Sequence, residues 1–221
     1  GMFLQLVLFV VPWLQWDGHP LVLADLPGRR LYVLGDVLTP RDTVIVVTAG
    51  LFLVFLLFFI TAVFGRLWCG YLCPQTVFME EWVRRIEEFF EGSRARRRAQ
   101  DRSPWQLGTV LRKTTKTMSI LLLSAIISMS LISYFVPARV LWPLEASGLA
   151  YSIVAVITAL HFIDFIWFRE QLCSFLCPYA RFQGALTDEH SLVIAYNRAR
   201  GEPRGKLRKG VRAGACIDCG K

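Results

Sequence analysis

Charge is what much of this chain lacks. Only 19% of its 221 residues are Asp, Glu, Lys or Arg, while 54% are hydrophobic. Residues 2–16, 43–64 and 118–136 contain no charged side chain at all. Soluble domains spread their apolar residues through amphipathic elements. Here they are blocked into runs with charge gathered between them, which excludes an ordinary soluble domain and reads as membrane-spanning. The first run lacks the marks expected of a cleaved secretory leader: no basic stretch precedes it and no small-residue cleavage site follows it. Six cysteines fall in three close pairs, 69/73, 173/177 and 216/219. That spacing argues for metal or redox chemistry in a reducing compartment rather than a disulfide framework.

Four spans are expected. Residues 2–16 are short for a crossing, which takes about 20 residues. The chain opens on Gly1-Met2, so this first span is expected to be truncated. Residues 43–64 form a helix about 33 Å long at 1.5 Å per residue. Residues 118–136 end at Pro137, and residues 148–168 are interrupted by His161 and Asp164. Between the first two spans lies a turn-rich stretch in which Leu21 to Leu23 and Leu31 to Leu34 suit a small hairpin.

The net charge of +8 comes mostly from arginine. Basic clusters beside apolar spans read as cytoplasmic loops, which excludes nucleic acid as the partner and makes the lipid bilayer one. Residues 66–117 carry eleven Lys and Arg and residues 169–221 carry ten, against three in 17–42 and one in 137–147. The positive-inside tendency puts the first two segments in the cytoplasm, the loop 66–117 among them.

The organising feature is an internal repeat. Trp68-Cys69-Gly70-Tyr71-Leu72-Cys73-Pro74 follows one span, and Cys173-Ser174-Phe175-Leu176-Cys177-Pro178 follows another. Each is Cys, small, aromatic, Leu, Cys, Pro, with a Phe four residues beyond the proline, Phe78 and Phe182. The expected fold is therefore an all-α membrane protein of four transmembrane helices, arranged as two repeated helix pairs. Each pair ends in C-x-x-x-C-P. Gln75 to Glu91 is an amphipathic helix with Phe78, Trp82, Val83, Ile86, Phe89 and Phe90 at helical spacing, expected to lie along the membrane surface. Residues 1–186 form the transmembrane domain. Residues 187–221 are expected to form a cytoplasmic lead-in and the truncated start of a 4Fe-4S ferredoxin-type domain.

In a helical turn, residues i and i+4 share a face, so Cys69 with Cys73, and Cys173 with Cys177, can each present two thiolates. Thiolates favour Cu(I), Zn(II) and iron–sulfur iron. Each pair can bind its own copper ion, or the pairs can converge on one four-thiolate site; a structural zinc is the third option. Interfacial cysteines can also be small apolar filler, a reading that weakens when the pair is duplicated. Cys216 and Cys219 form a C-x-x-C, a spacing that zinc-knuckle, thioredoxin-type and ferredoxin sites all use; as the opening of a bacterial ferredoxin run it supplies two ligands, and two cysteines do not hold a 4Fe-4S cluster. His161 and Asp164 lie on one face of the fourth span, where ionisable groups point to function. His161 is thus a candidate metal ligand or, with Asp164, part of a proton relay, with structural pairing of the two as the alternative.

Gly65-Arg66-Leu67-Trp68-Cys69 through Cys73-Pro74-Gln75-Thr76-Val77 resembles the first signature of the cytochrome c oxidase accessory proteins called CcoG, FixG or RdxA. Phe168-Arg169-Glu170-Gln171-Leu172-Cys173 through Gln183 resembles the second. Arg200 to Gly205 and Cys216 to Lys221 resemble the lead-in to that family's ferredoxin domain, and Pro12-Trp13-Leu14 and Asp25-Leu26-Pro27 its N-terminal region. The resemblance covers essentially the whole chain. It departs at Tyr196-Asn197, where the family tends to have Tyr-Asp, and in the family's further segments, which the chain does not include.

The resemblance implies a multi-pass protein of the bacterial inner membrane, with 4Fe-4S clusters in the full-length form. It implies an oxidoreductase that reduces Cu(II) to Cu(I) for assembly of a cbb-type cytochrome c oxidase. Its partners would be oxidase assembly factors or a copper chaperone or transporter. Cys69, Cys73, Cys173 and Cys177 would handle copper, and Cys216 and Cys219 would be cluster ligands. Two other readings stand beside it: a quinol-linked iron–sulfur electron-transfer subunit, and a non-redox membrane scaffold with structural zinc.

Overall fold

The computed structural model describes residues 1–16, 18–65, 67–92, 107–186 and 197–201. Cys216 and Cys219, and nearly all of the ferredoxin-type lead-in, lie outside the described residues.

Among the described residues, three helices are long and apolar enough to cross a membrane: Pro40–Phe64, Leu107–Ile132 and Gly148–Phe168. Two of them match the expected spans 43–64 and 148–168. The third differs, because its helix begins eleven residues before Met118, at Leu107, and ends at Ile132. Lys113 and Arg112 are good helix formers, so the basic connection winds into the span rather than ending before it. The expected first span is a short helix, α1 (Met2–Val10), stopped by a 3₁₀ turn at Val11–Trp13 that contains Pro12. Nine residues rise about 14 Å, roughly half the hydrocarbon core.

Between α1 and the first long helix, α2 (Thr43–Phe64), the chain makes two small antiparallel sheets. Strands Gln15–Trp16 and His19–Pro20 pair in one. In the other, Val22–Asp25 pairs with Arg30–Val33, which pairs with Asp36–Leu38. The expected hairpin is the centre of this second sheet. Asp25 accepts a hydrogen bond from the Gly28 amide at 3.1 Å, which closes its turn. Ala24 N–H donates to the Tyr134 carbonyl at 2.8 Å, tying the sheet to the loop after the next long helix.

After α2 come two short helices, α3 (Leu67–Tyr71) and α4 (Pro74–Phe78). The second continues through a π-turn at Met79–Val83 into α5 (Arg84–Glu91). Packing shows what the apolar stripe of this rod meets. Phe78, Met79 and Val83 are buried against Ile120, Leu123 and Ile127 of α6 (Leu107–Ile132) and Phe165 of the last span. The apolar stripe serves a protein core, and only its rim is open: Phe89 is 83% exposed. Glu87 and Glu91, polar by sequence, are buried, because Arg169 and Lys116 pair with them.

A second cluster joins Ile132 of α6, Leu141 of α7 (Ala138–Leu141), and Ala150 and Val154 of α8 (Gly148–Ile163). Where α6 meets α8, Ser124 and Ser128 are fully buried. Small residues let helix backbones approach closely where lipid offers no hydrophobic drive. Their hydroxyls donate back to Ile120 and Ser124 carbonyls at 2.8 Å, so no polar group is stranded.

Candidate metal and redox site

Each long helix that precedes a cysteine pair ends on a residue with positive φ. Gly65 (φ 60°, ψ −121°) closes α2, and Arg169 (φ 47°, ψ −120°) closes the π-turn Asp164–Phe168 that extends α8. Glycine adopts this backbone without penalty, whereas a side chain there costs on the order of 1–3 kcal/mol. The two positions stand at the same offset, four residues before the first cysteine of each pair.

The motifs then take the same path. Cys69 lies in the helical turn α3, and Cys173 in the π-turn Leu172–Leu176. Cys73 (φ −66°, ψ 121°) and Cys177 (φ −70°, ψ 113°) are extended. Each is followed by a proline that starts a helix, α4 in one case and α9 (Pro178–Leu186) in the other. Proline suits that first position because its missing N–H has no helical partner to lose. The Cys73 amide donates to the Trp68 carbonyl and the Cys177 amide to the Leu172 carbonyl, both at 2.9 Å and both five residues back. An i,i+4 helical turn, the geometry expected of each pair, therefore does not run through to the second cysteine. It is an extended corner instead, because proline disfavours helical backbone in the residue before it.

Three contacts connect one motif to the other. Thr61 donates its hydroxyl hydrogen to Leu57 O at 2.7 Å, so Tyr179 OH donates to Thr61 Oγ1 at 2.6 Å. Gln75 Nε2 reaches the Arg169 carbonyl at 3.5 Å, and the Cys69 thiol donates to Gln183 Oε1 at 3.8 Å. The first two are reciprocal: a residue just past one proline touches the span end that leads into the other motif. Burial pushes the Cys173 thiol up, and Cys73, then Cys177, then Asp164 add to the effect by disfavouring a further negative charge. Cys73 and Cys173 thus share an electrostatic neighbourhood.

The four thiols are half-buried and form no disulfide. In kind and number they match a 4Fe-4S cluster, which takes four cysteine thiolates. In geometry they do not: among the described residues no three Cys, His, Asp or Glu side chains stand together as metal ligands. Two-coordinate binding of a soft ion by one pair needs no such group.

His161 does not join them. Its Nδ1 lies 3.1 Å from Ser128 Oγ across the α6–α8 interface. Asp164 is closer to the motifs: it acts on Cys173, and Oδ1 of its buried carboxylate has no hydrogen-bond partner. Arg169, Glu87, Tyr179 and Gln183 were not singled out by sequence. One signal was available for Arg169, since the repeat aligns it with a glycine.

Comparisons with known proteins bear on the same segments. Residues 46–93, which hold Cys69 and Cys73, match a family described as a 4Fe-4S binding domain. Residues 168–221, which hold the other four cysteines, match a 4Fe-4S dicluster domain. The chain is 35% identical over 96% of its length to nitrogen fixation protein FixG of Rhizobium meliloti, of which it covers 43%. It is 36% and 35% identical to the proteins RdxB and RdxA of Cereibacter sphaeroides, again over 96% of its length, covering 47% of each. The chain thus spans under half the length of these relatives. No solved structure matches it.

Proposed function

Because the chain belongs to the family of FixG, RdxA and RdxB, we propose that it is the membrane part of an electron-transfer protein that reduces Cu(II) to Cu(I). Membrane location and iron–sulfur chemistry follow from the three apolar helices and the two matched 4Fe-4S domains. In this reading Cys69, Cys73, Cys173 and Cys177 hold the copper. Cu(II) that gains one electron becomes the softer Cu(I), which thiolates prefer. A 4Fe-4S cluster, when bound, supplies single electrons.

One observation carries the reading: the two motifs share a backbone path and bring Cys73 and Cys173 into one electrostatic neighbourhood. Half-burial keeps the thiols near the protein surface, where an ion can be taken up and passed on. The raised Cys173 thiol ionises more readily once a cation arrives, so copper binding and proton release are coupled there. The pairs act as two adjacent two-thiolate sites rather than one four-thiolate site. The excess of Lys and Arg in segments 66–117 and 169–221 supports a cytoplasmic side for both motifs in a bacterial inner membrane, with the short N-terminal helix counted in the first of two helix pairs. The copper would pass to a chaperone, transporter or assembly factor serving a cbb-type oxidase.

The test is cupric reductase activity and Cu(I) binding of the full-length protein, with Cys69→Ser and Cys173→Ser. Each substitution is expected to lower both. If neither value changes, copper handling at these thiols is wrong.

A further inference from the structure

A cavity of about 220 Å³ lies beside the cysteine motifs at the depth of the spans, between α1, α4, α6 and the last long helix. It is partly open and mostly apolar, walled by Leu8, Phe78, Ile127, Leu131 and Phe165. That volume is below the roughly 300–1,000 Å³ of drug-sized pockets. It suits one ring system whose tail runs out into lipid.

Three polar residues line it: Gln75, Tyr134 and His161. Their hydrogens are already placed. Tyr134 OH donates to the Val7 carbonyl at 2.8 Å. Gln75 Nε2 donates to the Arg169 carbonyl and is also the side chain beside the Asp164 carboxylate. For His161 the tautomer follows from its neighbour. A serine hydroxyl has one hydrogen, and Ser128 gives it to the Ser124 carbonyl at 2.8 Å. Toward His161 Nδ1 it can only accept, so Nδ1 carries the proton and Nε2 holds a lone pair. What these residues have left to offer is acceptors: imidazole Nε2, amide Oε1 and phenol oxygen. An acyl chain would leave all three without a partner in an apolar cavity, which is costly. A quinone, which has only acceptors, would meet them lone pair to lone pair. A ring that carries O–H donors satisfies them.

We propose that this cavity binds the ring of a lipid-soluble hydroquinone, its O–H groups donating to His161 Nε2 and Gln75 Oε1. Pro74 and Gln75 follow Cys73 directly in the chain, so the ring would sit next to the thiol site. The inference rests on the cavity and its hydrogen bonds, not on copper. A protein that binds hydroquinone yet reduces no copper separates the two readings.

The experiment uses full-length protein in quinone-free phosphatidylcholine nanodiscs, with decyl-ubiquinol and decyl-ubiquinone as probes and tryptophan quenching as the readout. Saturable binding with tighter affinity for the reduced probe is expected. His161→Phe should weaken decyl-ubiquinol binding about tenfold, the loss of one hydrogen bond, while changing the oxidised probe little. Leu131→Trp, which fills the cavity from its rim, should abolish binding of both. If His161→Phe does not fold, Gln75→Leu reads the same discrimination. Equal affinity for the two probes, an unchanged His161→Phe protein, or binding displaced by fatty acid alone would overturn the proposal.

Discussion

Arg169 and Glu87, 82 residues apart in the chain, form an ion pair that fastens the lead-in of the second cysteine motif to α5. Glu87 is buried, and Arg169 also donates from Nε to the Phe165 carbonyl at 3.2 Å. Arg84 extends the joint by bridging Glu80 and Glu170 at 2.7 and 2.5 Å. These bonds account for an arginine at a backbone position where the other copy has Gly65. The side chain holds Arg169 in a conformation it would otherwise leave, and the motif after it is aimed accordingly.

Glu87→Gln is expected to lower stability by about 1–3 kcal/mol, the scale of a charge-assisted bond to a buried group. Arg169→Lys should not substitute for Arg169, because one ammonium cannot serve both Phe165 O and Glu87 in the planar geometry of a guanidinium. Thermal melting in detergent reads both, and an unchanged midpoint for Glu87→Gln would remove the ion pair from this account.

In metal-free protein, Cys173 should alkylate with iodoacetamide only at higher pH than an ordinary thiol, since burial and then Cys73 hold its proton on. Cys73→Ser removes the second cause and leaves the first, so the profile should shift part of the way to lower pH. The sign for stability agrees. A raised thiol keeps its proton in the native state where the unfolded chain releases it, so its contribution is fully present below the ordinary thiol range and is lost as pH rises from there through the raised native value. Overlaid profiles for wild type and Cys73→Ser would separate the two motifs.

Tyr179→Phe should loosen the joint between α2 and α9. Thr61 is 1% exposed and depends on Tyr179 for the hydrogen that reaches its oxygen. Loss of that bond costs about 1 kcal/mol. Faster amide hydrogen exchange near residues 69–73 is the expected readout, and unchanged protection would show that the joint does not position the first motif.

Ser124→Leu should destabilise the α6–α8 interface by about 1–3 kcal/mol through overpacking. Ser124→Ala should be nearly neutral, because the hydroxyl bonds only its own helix at Ile120 O. Melting midpoints of the two variants distinguish close helix approach from hydrogen bonding as the reason for a serine there.

Much of the fold was legible in the chain. Spans 43–64 and 148–168 emerge at the expected bounds because lipid-facing helices are written in composition, which is local. The hairpin around Val22–Val33 was readable for a similar reason: strand pattern and turn residues are neighbours in sequence. The amphipathic rod was legible as a helix and misread in its partner. A stripe of Phe78 and Val83 looks the same whether it meets lipid or α6, and only the packed structure distinguishes them. Likewise nothing near Glu87 and Glu91 in the chain announces Arg169 or Lys116, the partners that let them be buried.

The sequence by itself determined that the chain has membrane helices, that four of its six cysteines come in matched C-x-x-x-C-P pairs, and which family it belongs to. Those properties depend on residue types and short spacings. Tertiary structure decided that Cys73 acts on the ionisation of Cys173 and that, among the described residues, no three candidate ligands stand together. It also decided that His161 lines a cavity and meets Ser128 through Nδ1 rather than joining the thiols. These outcomes hang on contacts between residues 30 to 120 positions apart, such as Ser128 with His161 and Thr61 with Tyr179. Whether such partners meet is set by how whole helices pack, and no local pattern encodes that geometry.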